Sequence, residues 1–138
     1  MRSVALAPLA HRIAELENRL PVTVNGSGDV DITADPDQLE QLLINIVRNA
    51  VDATLDTNGR VWIDWAQSDG GIQISVEDEG PGLPDTTNLF VPFFTTKPSG
   101  SGIGLALSRQ IAEAHGGTLV LENRQGTRGC RAVLRLPL

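Results

Sequence analysis

The sequence predicts an α/β chain of the α+β kind, and three observations carry that expectation. Three stretches repeat apolar residues every three or four positions, the spacing of one face of a helix. Six short runs alternate apolar and polar residues, the spacing of a half-buried strand. Between them stand clusters rich in Gly, Asn, Asp and Pro, which punctuate the chain into short connections.

Residues 4–19 form the first helical pattern, with Leu6, Leu9, Ile13 and Leu16 on one side and Pro8 placed to suit the first turn. His11 lies on it beside Arg12 with no acidic or nucleophilic neighbour, and it reads as a surface histidine. Residues 21–25 and 30–33 alternate around Gly26, Ser27, Gly28 and Asp29, which predicts a hairpin. Asp35, Pro36 and Gln38 together mark a helix start: a capping carboxylate, a proline at the first helical position and an amide three residues after the cap. That helix should run to about Leu55 and stop at the turn residues Asp56, Thr57, Asn58 and Gly59. Residues 60–66 bury Val61, Ile63 and Trp65; residues 72–77 bury Ile72, Ile74 and Val76. The two runs are predicted to pair antiparallel through Asp69, Gly70 and Gly71. The third helix opens within residues 100–105, places Ile103, Leu107, Ile111 and Ala114 on one side, and ends at Gly116 and Gly117. Residues 118–122 and 130–136 are the last two strands, and Cys130 is a small strand or core residue.

Composition narrows the function. At 138 residues and 41% hydrophobic, the chain has the length and apolar content of one domain with a real core. A formal net charge of −6 argues against nucleic acid and anionic membrane as partners. An anionic ligand must then be handled locally, by a divalent cation and aimed backbone N–H groups. A single cysteine allows no internal disulfide, and no apolar run approaches the ~18 residues of a membrane span. A cytoplasmic location is expected, with no direct membrane contact from this chain, compatible with the soluble part of a membrane-anchored sensor.

The chemistry-bearing residues fall at four places. On the second helix Asn45, Asn49 and Asp52 share one face, while Leu42, Leu43, Ile46, Val47 and Ala50 supply the buried side. An amide oxygen is a neutral hard donor suited to Mg²⁺, and Asn49 is the expected metal ligand. Asp78 leaves the end of a strand with Gly80 and Gly82 at the next alternate positions, so the chain can turn sharply and a flat ring can lie near the backbone. Its carboxylate can accept a hydrogen bond from an exocyclic amine such as that of adenine. Residues 83–99 make a long connection holding all three phenylalanines, Phe90, Phe93 and Phe94, and a connection of this kind reads as a lid anchored by its own apolar cluster. Lys97 within it is the basic group best placed to reach a phosphate. Gly100, Ser101, Gly102, Ile103, Gly104 and Leu105 then lead into a helix, where free N–H groups and the helix dipole favour an anion. This is not a P-loop, since no Gly-Lys-Ser/Thr follows. Nor is it the dinucleotide fingerprint, since Leu105 stands where a third glycine is required.

In this order and spacing, residues 45–52, 78–82, 90–97 and 100–104 resemble the N, first glycine, F and second glycine boxes of the gyrase, chaperone, histidine kinase and MutL ATPase superfamily. The resemblance is closest to the catalytic domain of two-component sensor histidine kinases, and the run Phe93, Phe94, Thr95, Thr96, Lys97 looks like the nitrogen-regulation and dicarboxylate-sensor subgroup. It covers nearly all of the chain from about Asp35 to Pro137. The resemblance implies a Bergerat-type two-layer sandwich, with three helices on one face of a mixed, roughly five-stranded sheet. It implies ATP and Mg²⁺ as ligands. The nucleotide would be contacted by Asn45, Asn49, Asp52, Asp78, Gly80, Gly82, Phe94, Thr96, Lys97, Gly100, Ser101, Gly102, Ile103, Gly104 and Leu105, with Asn45 and Lys97 serving the chemistry. It further implies a phosphoryl acceptor histidine on a separate dimerisation domain of the parent kinase, and a response regulator downstream. His11 lacks the acceptor pattern, so residues 1–138 read as one catalytic domain without its acceptor domain.

Superfamily members that hydrolyse ATP resemble each other in having Glu where this chain has Asn45, and an amide cannot act as a general base near neutral pH. Phosphoryl transfer to a positioned imidazole therefore fits better than a clamp-type ATPase. Asp52 stands where many sensor kinases have Lys, which shifts phosphate contact toward Lys97 and Arg48 and leaves a nucleotide-sensing interaction module as the alternative. Cys130 stands after Gly129 where the family often shows Thr.

Overall fold

The computed structural model describes residues 1–26, 28–55, 57–80, 103–124 and 126–138. The chain runs β1 (Arg2–Ala5), α1 (Leu6–Leu16), β2 (Val22–Val24), β3 (Asp31–Ala34), α2 (Pro36–Thr54), β4 (Val61–Ser68), β5 (Gly71–Asp78), α3 (Ile103–Ala114), β6 (Thr118–Asn123) and β7 (Cys130–Pro137). Five strands form a mixed sheet in the order β2-β4-β5-β7-β6, with β2 parallel to β4 and every other pair antiparallel. The three helices cover one face of it, the two-layer sandwich expected, and β1 and β3 form a small antiparallel pair of their own.

The core follows from two periodicities meeting. Leu39, Leu42, Leu43, Ile46, Val47, Ala50 and Val51 line one side of α2, and they bury against Val61, Ile63 and Trp65 of β4 and Ile72, Ile74 and Val76 of β5. Each such side chain removed from water contributes about 1.5–3 kcal/mol. The β4–β5 connection is a two-residue turn in which Asp69 and Gly70 both have positive φ, 48° and 76°. That backbone twist matches the twist of the flanking strands, so the register Ser68 to Gly71 is set by the turn itself.

The predicted hairpin of residues 21–25 with 30–33 does not form. Beyond β2, the N–H of Asn25 donates to the Ile63 carbonyl at 2.8 Å, so the chain keeps following β4 instead of reversing. Gly26 then crosses the indole of Trp65, where any Cβ would collide with the ring. β3 instead pairs with β1, Arg2 opposite Ala34 and Ala5 opposite Asp31, a strand hidden at the head of the first helical pattern. The connection from β2 to β4 passes through β3 and the long helix α2, a crossover, and a crossover joins parallel neighbours, as β2 and β4 are.

Two smaller expectations also change. α1 ends at Leu16 because Glu17 is extended, with φ −85° and ψ 117°, and this leaves Leu16 61% exposed and outside the core. On α3 the buried positions are Ala106, Ser108, Ile111 and Ala112, while Ala114 is exposed and Leu107 half-buried. Small side chains there permit close approach to α2. The helix closes as expected at glycines: Gly116, at φ 77°, donates to Glu113, and Gly117 donates to Ala112, so the last carbonyls are satisfied.

Candidate functional site

α2 is placed at both of its ends. At its start the Asp35 carboxylate accepts from the N–H groups of Asp37 (3.0 Å) and Gln38 (3.1 Å), and Pro36 occupies the first turn. The N–H of Asp35 itself donates to Nε2 of His115 at 3.0 Å, so that nitrogen is an acceptor. The ring proton must sit on Nδ1, which donates to the Ile111 carbonyl at 2.8 Å. His115 thereby ties the end of α3 to the start of α2. Ten residues along α2, Asn45 Nδ2 donates to Ser108 Oγ at 3.3 Å, a second tie between the same two helices.

At the other end, Thr54 Oγ1 donates to the Ala50 carbonyl at 2.8 Å, and Thr57 Oγ1 lies 3.0 Å from the Thr54 carbonyl and 3.2 Å from that of Glu79. The exit of β5 is thus drawn onto the last turn of α2. Glu79 also accepts from the N–H of Arg60 at 2.7 Å; that bond above all, with the Arg60 guanidinium beside it, holds its carboxyl below the usual range. Gly80 packs so closely that a Cβ there would lie 2.7 Å from the Ala53 carbonyl oxygen. Ala53 is one turn beyond Asn49, so the Asp78 segment borders the amide-bearing face of α2.

Asp78 closes β5 and is 3% exposed. Its Oδ1 accepts from Gly80 N–H at 2.9 Å and from Cys130 N–H at 3.3 Å, so backbone donors of two different segments orient one carboxylate. Gly129 has φ 128°, and a Cβ there would fall onto the Asp78 carbonyl oxygen. The start of β7 is therefore part of the site's scaffold through its backbone groups.

Asp52, the last residue of the polar stripe, is ion-paired with Arg19. Arg19 is in turn gripped by Glu17, with Nε to Oε1 at 3.0 Å, Nη2 to Oε2 at 3.1 Å and its own backbone N–H to Oε1 at 2.9 Å. The guanidinium holds the Glu17 carboxyl below its usual range, and its own pKa is pushed up by Glu17 first and Asp52 second.

Of the expected site residues, the structure places Asn45, Asn49 and Asp52 together on α2, and Asp78 with Gly80 beside the last turns of that helix. Ile103, Gly104 and Leu105 lie in the first turn of α3, and Leu105 is half-buried. Gly82, Phe94, Thr96, Lys97, Gly100, Ser101 and Gly102 lie outside the described residues, as do the lid expected over residues 83–99 and its subgroup motif. Three residues not singled out earlier also build the site, Arg19, Ser108 and His115, together with Gly129, the glycine ahead of Cys130. None of the three carried a local signal. Two surface clefts of about 250 and 260 Å³, one bounded by Arg2, Pro8 and Arg12, the other by Gly71, Gly117 and Pro137, are lined by none of the expected site residues.

No group of three or more His, Cys, Asp or Glu side chains able to hold a metal occurs among the described residues. Mg²⁺ carried by phosphates needs few protein ligands, so one amide oxygen such as that of Asn49 is a donor set that fits it.

The model of the histidine kinase-, DNA gyrase B- and HSP90-like ATPases matches residues 34–138. The sensor histidine kinase ZraS of Escherichia coli O157:H7 is 40% identical over 110 residues, 78% of this chain and 24% of that protein. The chain thus spans about a quarter of the length of that curated relative. The nucleotide-free catalytic domain of histidine kinase ThkA superposes with a TM-score of 0.86 at 31% identity, over 99% of this chain and 96% of that one. Full-length ShkA, solved in complex with AMPPNP, superposes with a TM-score of 0.80 at 27% identity, over 98% of this chain and 31% of that one. The chain belongs to the family of histidine kinase-, DNA gyrase B- and HSP90-like ATPases, as an ATP-binding domain of the sensor histidine kinase type.

Proposed function

We propose that this domain binds Mg-ATP between the polar face of α2 and the end of β5, and presents the γ-phosphoryl group to a histidine of a separate dimerisation domain, in two-component signalling through a response regulator. The observation that supports the reading is the seating of Gly80, which orients the Asp78 carboxylate, against Ala53 in the last turns of α2, the helix that carries Asn49. Asp78 would accept from the adenine amino group, with the Gly80 N–H holding that carboxylate in place. Asn49 would ligate Mg²⁺, which neutralises phosphate charge when bound. Lys97 would contact the phosphates. Gly82, Phe94, Thr96 and residues 100–105 would close over the nucleotide.

Asn45 supports transfer over hydrolysis, since its amide is anchored to Ser108 and carries no base to activate water. The pairing of Asp52 with Arg19 supports catalysis over a nucleotide-sensing module, because the acid that stands in place of a phosphate-binding lysine is matched by a cation. The AMPPNP complex of ShkA is consistent with the same choice of ligand.

The test is incubation with γ-labelled ATP and an added acceptor-histidine domain from a relative such as ZraS. Label should pass to the acceptor imidazole, and substitution of Asn49 by Ala should stop it. Tight ATP binding without any transfer would contradict the kinase reading.

A further inference from the structure

The segment joining α1 to β2 contributes a residue to the face of α2 that no motif predicts. Glu17 binds Arg19 through three hydrogen bonds, so the guanidinium is presented in one orientation. It reaches across 33 positions of sequence to Asp52. Asp52 lies seven residues beyond Asn45 on the same side of α2, about 10 Å along the axis. Arg19 joins Asp52 at the end of that face to a Glu17 side chain only 7% exposed, and its removal takes one positive charge away from two carboxylates. The chain's net charge of −6 would reinforce their effect on an anionic ligand.

We infer that Arg19 is a positioning residue of the nucleotide site, holding Asp52 neutralised and turned so that the face carrying Asn45 and Asn49 can accept a polyphosphate. The inference rests on the nucleotide reading above and adds a residue to it. Three guanidinium nitrogens are engaged by two carboxylates at once, a geometry that a lysine ammonium does not reproduce. Arg48, one turn before Asp52, adds a second positive charge near Glu17, but Arg19 is the cation bonded to both acids. The role is electrostatic, so it should concern the phosphates and not the base.

The experiment measures dissociation constants of Mg-ATP and of adenosine for the 138-residue chain, the Arg19→Ala and Asp52→Asn variants and the double variant. Arg19→Ala should weaken Mg-ATP on the order of tenfold at low salt and less at 0.15 M, about the effect of losing one positive charge within ~10 Å of a triphosphate. Adenosine should change by less than about twofold, which also shows that the domain remains folded. Removing Asp52 as well should restore most of the loss, and Arg19→Lys should fall between the wild type and Arg19→Ala. The inference is overturned if Arg19→Ala leaves Mg-ATP unchanged, weakens ATP and adenosine alike, or stays equally weak in the Asp52→Asn background. A wild-type chain that binds neither ligand would instead sink the nucleotide reading on which the inference stands.

Discussion

Asn45 on α2 and Ser108 on α3 share a hydrogen bond of 3.3 Å, and Ser108 is fully buried. The bond lies where two helices pack through small side chains, so Ser108 has no water as a ready substitute, while Asn45 is half-buried. Ser108→Ala and Asn45→Ala should each cost about 1 kcal/mol of stability. Combined in a double-mutant cycle, they should show a coupling of about 0.5–1.5 kcal/mol. Urea denaturation of the four proteins checks this, and strict additivity would mean that the pair does not join the helices.

Glycines in unusual conformations or in close contact should differ sharply in what they tolerate. Gly129→Ala meets both a φ of 128° and the Asp78 carbonyl oxygen, and Gly80→Ala meets the Ala53 carbonyl oxygen at 2.7 Å. Backbone atoms cannot step aside cheaply, so each should cost about 2–4 kcal/mol. Gly28 has φ 89° but nothing within 4 Å, and alanine there should cost only about 1 kcal/mol. Thermal melts of the three variants rank them, and equal losses at Gly28 and Gly129 would show that crowding at Asp78 is not the deciding effect.

Acid should weaken the fold through Glu17. Its folded pKa lies below the ordinary 4.5, chiefly through its side-chain bond to Arg19, so the contribution is fully present above pH 4.5 and is lost as pH falls through the lower folded value. Arg19→Ala should therefore lower stability at pH 7 and narrow the difference from wild type near pH 3. Chemical denaturation at the two pH values checks the sign. A constant difference across that range would show that the carboxylate does not depend on its guanidinium.

The parts of this structure legible from sequence are those whose signals are local. α2 announces itself through Asp35, Pro36 and the polar stripe of Asn45, Asn49 and Asp52. β4 and β5 announce themselves through strict alternation and the Asp69-Gly70 turn, and Asp78 through its place at a strand end. What was misread or missed depends on distant partners. β2 alternates like half of a hairpin, but it is claimed by β4 because the chain crosses Trp65 at Gly26. β1 is four residues long and merges into the helical pattern that follows it. Leu16 has helical spacing but falls at the terminus of its helix, and α3 buries alanines and a serine where larger residues were expected. The Arg19–Asp52 pair and the His115–Asp35 tie span 33 and 80 positions, and nothing in either local sequence indicates its partner.

The central claim is that Asp78 reads the adenine of a nucleotide seated against Asn49. It is tested most directly by calorimetric titration with Mg-ATP and with its 6-oxo counterpart, inosine triphosphate, on wild type and Asp78→Asn. A carboxylate oriented by Gly80 and Cys130 accepts from the 6-amino group and repels the 6-oxo group. Wild type should then prefer ATP by on the order of 10–100-fold, and Asp78→Asn should lose most of that preference. Equal affinity of wild type for the two purines, or no heat with either, would contradict it.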